Sequence, residues 1–107
     1  FKGSADDLAL INFFRNYGTD VVRLRKKFPC TGFQPFSYET KFVQSVNRID
    51  SKEFVYIKGA PEVVLPNCTH ALWGGKTVKL TKDKRKIIKE TLEAFSARAL
   101  RNIAFSF

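Results

Sequence analysis

Metal-ligating side chains are scarce in this chain of 107 residues, which has only two cysteines, Cys30 and Cys68, and one histidine, His70. The cysteines form no C-x-x-C pair, and a zinc site takes four ligands at recognisable spacings, so no metal site is expected. Nothing signals an oxidising compartment, which leaves free thiols, buried or half-buried in the manner of small hydrophobes. Long hydrophobic runs are missing too. None approaches the roughly 20 residues that span a bilayer, and Phe1-Lys2-Gly3-Ser4-Ala5 has no signal-peptide core. The piece therefore reads as soluble, with a membrane-bound parent left open. Acids are outnumbered, 10 against 19 Lys+Arg, for a formal charge of +9. That balance suits a polyanion (nucleic acid, an anionic membrane surface, nucleotide phosphates), or simply a well-solvated surface. There is no internal repeat and no low-complexity segment.

What is present suffices for one hydrophobic core: 44% apolar residues, 11 of them Phe, in a length that fits a single domain spanning 1–107. Asp6 and Asp7 precede an apolar stripe of Leu8, Leu10, Ile11, Phe14 and Tyr17. This predicts a helix with acids in its first turn and Gly18 as its stop. Val21–Lys27 alternates enough for an exposed strand, and Pro29, Gly32 and Pro35 punctuate the stretch between it and Phe36. Lys41–Ile49 and Glu53–Lys58 read as an antiparallel hairpin across Asp50-Ser51-Lys52. Pro61 starts a helix that Pro66 ends after about one turn, and Gly74-Gly75 makes a second hairpin-like turn. Thr81 caps a long helix with Asp83 in its first turn and Ile87, Ile88, Thr91, Leu92, Phe95 and Ala99 as its buried face. Lys82, Arg85, Lys86 and Lys89 fall together on its water face. Arg101–Phe107 alternates with period two, as a strand does. The expected class is α+β: a mostly antiparallel sheet with flanking helices packed on one side.

Two segments resemble phosphate sites. Gly74-Gly75-Lys76-Thr77 ends like a Walker A loop, but His70 stands where the first glycine is required. Leu72 and Trp73 fill the loop where backbone amides must wrap a phosphate, so it is a turn. Tyr56-Ile57-Lys58-Gly59-Ala60-Pro61-Glu62 is different. A lysine ends a strand, two small residues come next, and proline opens a helix. Such a junction forms a crevice where a flat ring could press on Gly59 and Ala60, with the Lys58 charge beside it. On local chemistry alone it reads equally as a βα turn with an exposed lysine.

Lys58-Gly59-Ala60-Pro61-Glu62 is similar to the KGAPE signature of the nucleotide-binding domain of P-type cation-transporting ATPases. Further blocks keep that family's order. Gly3-Ser4-Ala5-Asp6-Asp7-Leu8-Ala9-Leu10 resembles G-x-x-T-E-x-A-L. Pro35-Phe36-Ser37-Tyr38-Glu39-Thr40-Lys41 resembles P-F-S-S-x-x-K. Cys68 sits where many members have cysteine, and Ala99-Leu100-Arg101-Asn102-Ile103-Ala104-Phe105 resembles G-L-R-x-I-A-x. Together they cover almost the whole chain.

The resemblance implies a role for each residue. Phe36 would stack on adenine, and Asp7, where the family usually has Glu, would accept a hydrogen bond from the adenine amino group. Lys41 and Lys58 would face the phosphates, with Gly59 and Ala60 against the ring. Arg101 would reach ribose or phosphate from the neighbouring strand. Tyr38 stands where calcium pumps often have Arg or Ser. The blocks look most like the calcium-transporting, plasma-membrane type, with proton pumps and an intracellular branch as alternatives. The family's phosphorylated D-K-T-G-T motif does not occur in this chain. The resemblance thus implies a domain that binds ATP without hydrolysing it. It would present ATP to the phosphorylation domain, alongside an actuator domain, of the same polypeptide on the cytoplasmic face of a membrane. Magnesium would serve the full-length pump and not be bound here. The family domain can also begin before Phe1 and run past Phe107. The competing class is a small basic nucleic-acid-binding module, but the alternating aromatic motif of an RRM is missing: Gly59 is followed by Ala-Pro.

Overall fold

The computed structural model describes residues 4–107. Ser4 opens helix α1 (Ala5–Asn16) with a reciprocal capping box: its hydroxyl accepts from the Asp7 amide at 3.2 Å, and its own amide donates to Asp7 Oδ2 at 3.1 Å. Gly3, first residue of that block, lies outside the described residues. Gly18, at φ +80°, lets the chain leave the helix. Val21–Lys27 is helix α2, not a strand. The Asp20 side chain accepts from the Arg23 amide at 3.0 Å, and Arg25, Lys26 and Lys27 lie in the last turn, where the helix dipole favours cations. These end effects outweigh the β preference of Val21-Val22.

Four strands form an antiparallel sheet in the order β1-β2-β3-β6: β1 (Cys30–Gln34), β2 (Phe42–Ile49), β3 (Lys52–Gly59) and β6 (Ala104–Ser106). The first strand was not visible in the sequence, because Thr31 bulges out of register between Cys30 and Gly32 and breaks the alternation. Cys30 is exposed on this edge strand, not buried or half-buried as expected, while Cys68 is half-buried. β2 and β3 join through Asp50-Ser51, both at positive φ, the tight hairpin form that suits strand twist. The final strand is confined to three residues, so Arg101 lies in the loop before it.

After β3 come the short helix α3 (Pro61–Val64), a 3₁₀ turn over Leu65–Asn67 that contains Pro66, and a separate hairpin of β4 (His70–Trp73) and β5 (Lys76–Lys79). Gly74 and Gly75, at φ +58° and +79°, make its turn. Helix α4 (Lys82–Ala97) then begins on Thr81, whose hydroxyl accepts from the Lys84 amide.

Side chains alternate across the sheet, and the two faces meet different partners. Lys58 and Asn47 share one face and reach α1 and the end of α2, through Asp7 and the Phe28 carbonyl. Phe42 and Ile57 share the other and, with Val64, Leu65, Ile88 and Leu92, line a cavity of about 820 Å³. Helices therefore flank both faces of the sheet, not one. Packing is open. Among the described residues only Pro61, Val64 and Leu80 are buried, and the accessible surface is 8690 Å². A compact monomer of this mass exposes roughly 6,000 Å².

No residue of α4 is buried, contrary to the expected buried face. Successive helical residues are rotated by about 100°, so Ile87 cannot face inward with Ile88, and it is exposed. Thr91 and Phe95 are exposed too, and Ala99 lies beyond the helix. Arg85 also leaves the solvated set. Its guanidinium donates to the Leu65 carbonyl at 3.1 Å and the Cys68 carbonyl at 2.6 Å, closing the end of the 3₁₀ turn. Exchanging Lys82, Lys86 and Lys89 for Gln should leave thermal stability unchanged. Arg85→Gln should lower it by about 1.5–3 kcal/mol, as loss of charged hydrogen bonds does, in a urea or thermal melt.

The C-terminal end of α4 carries a local strain. Leu100 N–H reaches the Phe95 carbonyl and Ala99 N–H the Ser96 carbonyl, the paired bonds of a Schellman motif. The motif needs a left-handed residue, and Ala99 occupies it at φ +57°. Glycine adopts that conformation without the methyl clash. Relief of a left-handed penalty of about 1–2 kcal/mol, offset by glycine's larger entropy loss of about 0.5–1 kcal/mol, should stabilise Ala99→Gly by about 0.5–1 kcal/mol, read as a higher melting temperature.

Candidate nucleotide site

The residues singled out in the sequence converge on one end of the sheet, where β2 begins, β3 ends and β6 begins. Phe42 pairs with Gly59, Lys58 with Phe105 and Gly59 with Ala104. The β1–β2 connection carrying Phe36, Tyr38 and Lys41 returns to the same end. Within it, Ser37 Oγ accepts from the Thr40 amide at 3.1 Å, and the Ser37 carbonyl from the Lys41 amide at 2.8 Å. Lys41 precedes β2 instead of starting it, in left-handed backbone at φ +61°, and its carbonyl accepts from the Ala60 amide at 3.4 Å. The loop is thereby pinned against the KGAPE turn.

Phe36 is half exposed, and Tyr38 meets it edge-on, with centroids 5.5 Å apart and planes at 83°. Gly59 has a reason of its own. A Cβ there would come within 2.7 Å of Phe42 Cβ and 2.8 Å of the Lys41 carbonyl oxygen, so β2 approaches too closely for any side chain.

Helix α1 supplies the acids. Asp7 Oδ1 pairs with Lys58 Nζ, while Asp7 Oδ2 accepts from the amide and hydroxyl of Ser4. Asp6 Oδ2 accepts from Arg101 at 2.9 Å. The Lys58 ammonium holds the Asp7 carboxyl below the usual carboxylate range; the Ser4 donors help, and burial opposes. A depressed carboxyl contributes stability that is present above its unfolded value, about 3.9, and is lost as pH falls through the folded one. The Asp7 side chain is 39% exposed, so solvent weakens the effect. On acidification below about pH 4, stability should fall less steeply in Asp7→Asn than in the parent, which parallel melts would read.

Asp6 is the participant that sequence reasoning missed. Its signal was present: an acidic doublet puts a second carboxylate on the same helix turn. The large apolar cavity is not this site, and Phe36, Tyr38, Lys41 and Lys58 line neither it nor a smaller hollow of about 250 Å³ that includes Ala60 and Arg101. What the end of the sheet offers is an open shelf: an exposed aromatic ring for a base and three cations for phosphates, Lys41, Lys58 and Arg101. Those groups fit a nucleotide.

The sequence model of the family described as P-type ATPase, cytoplasmic domain N, matches residues 1–107. Similar curated proteins include Calcium-transporting ATPase 1 of Bacillus cereus, 37% identical over 105 residues, covering 98% of this chain and 12% of that protein. Calcium-transporting ATPase 10, plasma membrane-type, of Arabidopsis thaliana is 32% identical over 108 residues, 99% of this chain and 10% of that protein. Calcium-transporting ATPase 1 of Lactococcus lactis is 29% identical over 105 residues, 98% of this chain and 12% of that protein. The chain thus spans about a tenth of the length of these relatives. No helix among the described residues is long and apolar enough to cross a membrane. Matched over its full length and carrying an antiparallel α+β fold, the chain belongs to the family of P-type ATPase cytoplasmic N domains.

Proposed function

We propose that this chain is the ATP-binding domain of a P-type calcium pump, a single unit within a longer membrane protein that presents ATP to a separate phosphorylation domain. The observation that carries the reading is the convergence of Phe36, Lys41, Lys58, Gly59, Ala60 and Arg101 at one end of the sheet, in a chain matched throughout by the N-domain family. Phe36 stacks the base, with Tyr38 bracing its ring from the edge. Lys58 and Lys41 meet the phosphates as point charges, and Arg101 reaches ribose or phosphate. Gly59 and Ala60 keep the floor low. Asp7, paired with Lys58, keeps acceptor capacity on its carboxylate for the adenine amino group. The calcium assignment rests on the names of the relatives. The phosphorylation and actuator domains are its partners in the same polypeptide, and hinge closure delivers the γ-phosphate to the first of them.

The test is a titration of the purified chain with ATP and ADP, with and without magnesium, beside a phosphate-release assay. The expected result is weak binding of both nucleotides, little altered by magnesium, and no phosphate release. Absence of binding to either nucleotide, or release above background, would overturn the proposal.

A further inference from the structure

The segment that follows β3 is held at both ends. At its start the Ala60 amide donates to the Lys41 carbonyl at 3.4 Å, and the Ala60 carbonyl accepts from the Val63 and Val64 amides at 3.0 and 3.1 Å. The four residues of α3 then run directly into the three of the 3₁₀ turn. A helix this short does not hold itself together, and Ala60 gives it no side-chain cap. Side chains close its last carbonyls instead. Asn67 donates to the Val63 carbonyl and the Cys68 thiol to that of Val64, both at 3.3 Å. These two donors are local. Arg85 is not: it comes from α4, 20 positions from Leu65 and 17 from Cys68, and its guanidinium donates to both of their carbonyls. Pro61 and Val64 are buried between the two ends, so the segment cannot shift without uncovering them.

From this geometry, and resting on the nucleotide reading above, we infer that Arg85 is a positioning residue for the nucleotide shelf. It touches no ligand. Its guanidinium fastens the far end of the α3 segment to α4. The near end carries Ala60, part of the floor under the base, and Ala60 in turn pins the Lys41 carbonyl and with it the loop that bears Phe36 and Tyr38. The segment is therefore a strut, and Arg85 sets the stacking ring and the Lys41 charge relative to Gly59 and Ala60. Binding groups act together only when held within about 0.5 Å of their productive geometry, so loosening the strut at one end is felt at the other. The role calls for arginine in particular. A guanidinium presents its donors in a rigid fork that spans two carbonyls, whereas an ammonium is a point charge on a flexible stem.

The experiment must separate positioning from general stability and from charge. The parent, Arg85→Gln, Arg85→Lys, Asp20→Ala and Lys86→Gln are titrated with ATP well below their melting transitions, following backbone amide shifts. Ligand-free amide exchange is read at Ala60, Val63 and Val64. Arg85→Gln should bind ATP roughly two- to thirtyfold more weakly and exchange these three amides faster. Arg85→Lys keeps the charge but not the fork, so it should lose affinity by a smaller factor, and it decides the matter if Arg85→Gln does not fold. Asp20→Ala removes the cap of α2 and so weakens the fold without touching the strut. Lys86→Gln removes one exposed charge beside Arg85 on α4. Both controls should stay within about twofold of the parent. An equal loss in Asp20→Ala would reduce Arg85 to general stability, and an equal loss in Lys86→Gln would reduce it to charge. Either result sinks the positioning role, as does parent-like affinity or unchanged exchange in the Arg85 variants, while the nucleotide reading stands. If the parent itself does not bind ATP, the nucleotide reading fails and takes the positioning role with it.

Discussion

Gly59→Ala is expected to cost at least about 3 kcal/mol, the upper end for an overpacked site, and to remove most of the folded population of a chain with so small a core. The added methyl would sit 2.7 Å from Phe42 Cβ and 2.8 Å from the Lys41 carbonyl oxygen. Neither atom can rotate away. One is the first carbon of a side chain and the other is backbone, so β2 must separate from β3 where they pair at Phe42 and Gly59. That shift would also move Lys58 and the loop pinned through Ala60 and Lys41. The measurement is a urea midpoint together with an ATP titration. A large drop in midpoint, with binding lost in parallel, supports the packing account. An unchanged midpoint with binding lost would mean that glycine is there for the approach of the ligand instead, and the strand-contact explanation would be wrong.

Phe36→Ala is expected to weaken ATP binding by about 1–3 kcal/mol, the range for an aromatic ring that stacks on a base, or roughly 5- to 150-fold in Kd. Stability should change little, because the ring is 51% exposed and its contact with Tyr38 is a single edge-on pair. Phe33 provides the comparison: it is 66% exposed on β1, outside the proposed site, and Phe33→Ala should leave affinity alone. Calorimetric titration of the two variants separates a stacking ring from a generally sticky surface. Unchanged ATP affinity in Phe36→Ala, or outright unfolding, would remove Phe36 from the site.

Residues close in the chain announced their own structure. The start of α1 was legible because Ser4 and Asp7 satisfy each other within one turn. The same holds for the Asp50-Ser51 and Gly74-Gly75 turns and for Thr81 as a cap, each decided within four residues. Where local signals competed, reading failed. In α2 the β-branched pair Val21-Val22 masked the Asp20 cap, and in β1 a single bulge erased the alternation. The site was legible for a different reason. Its residues sit in blocks whose order along the chain resembles a known family, so their roles were expected before any contact between them was known.

What the one-dimensional pattern determined about this protein is therefore its class, its turns and caps, and the identity of the residues at the candidate site. Tertiary structure decided the rest: that helices take both faces of the sheet, that Arg85 closes a 3₁₀ turn instead of facing water, that β2 forces a glycine at position 59, and that Asp6 and Asp7 hold the cations. The physical reason is distance along the chain. Caps and tight turns are satisfied by neighbours, so their chemistry is written beside them. The Asp7–Lys58 and Asp6–Arg101 pairs join positions 51 and 95 residues apart, and which acid meets which cation is settled only when the strands bring those positions together.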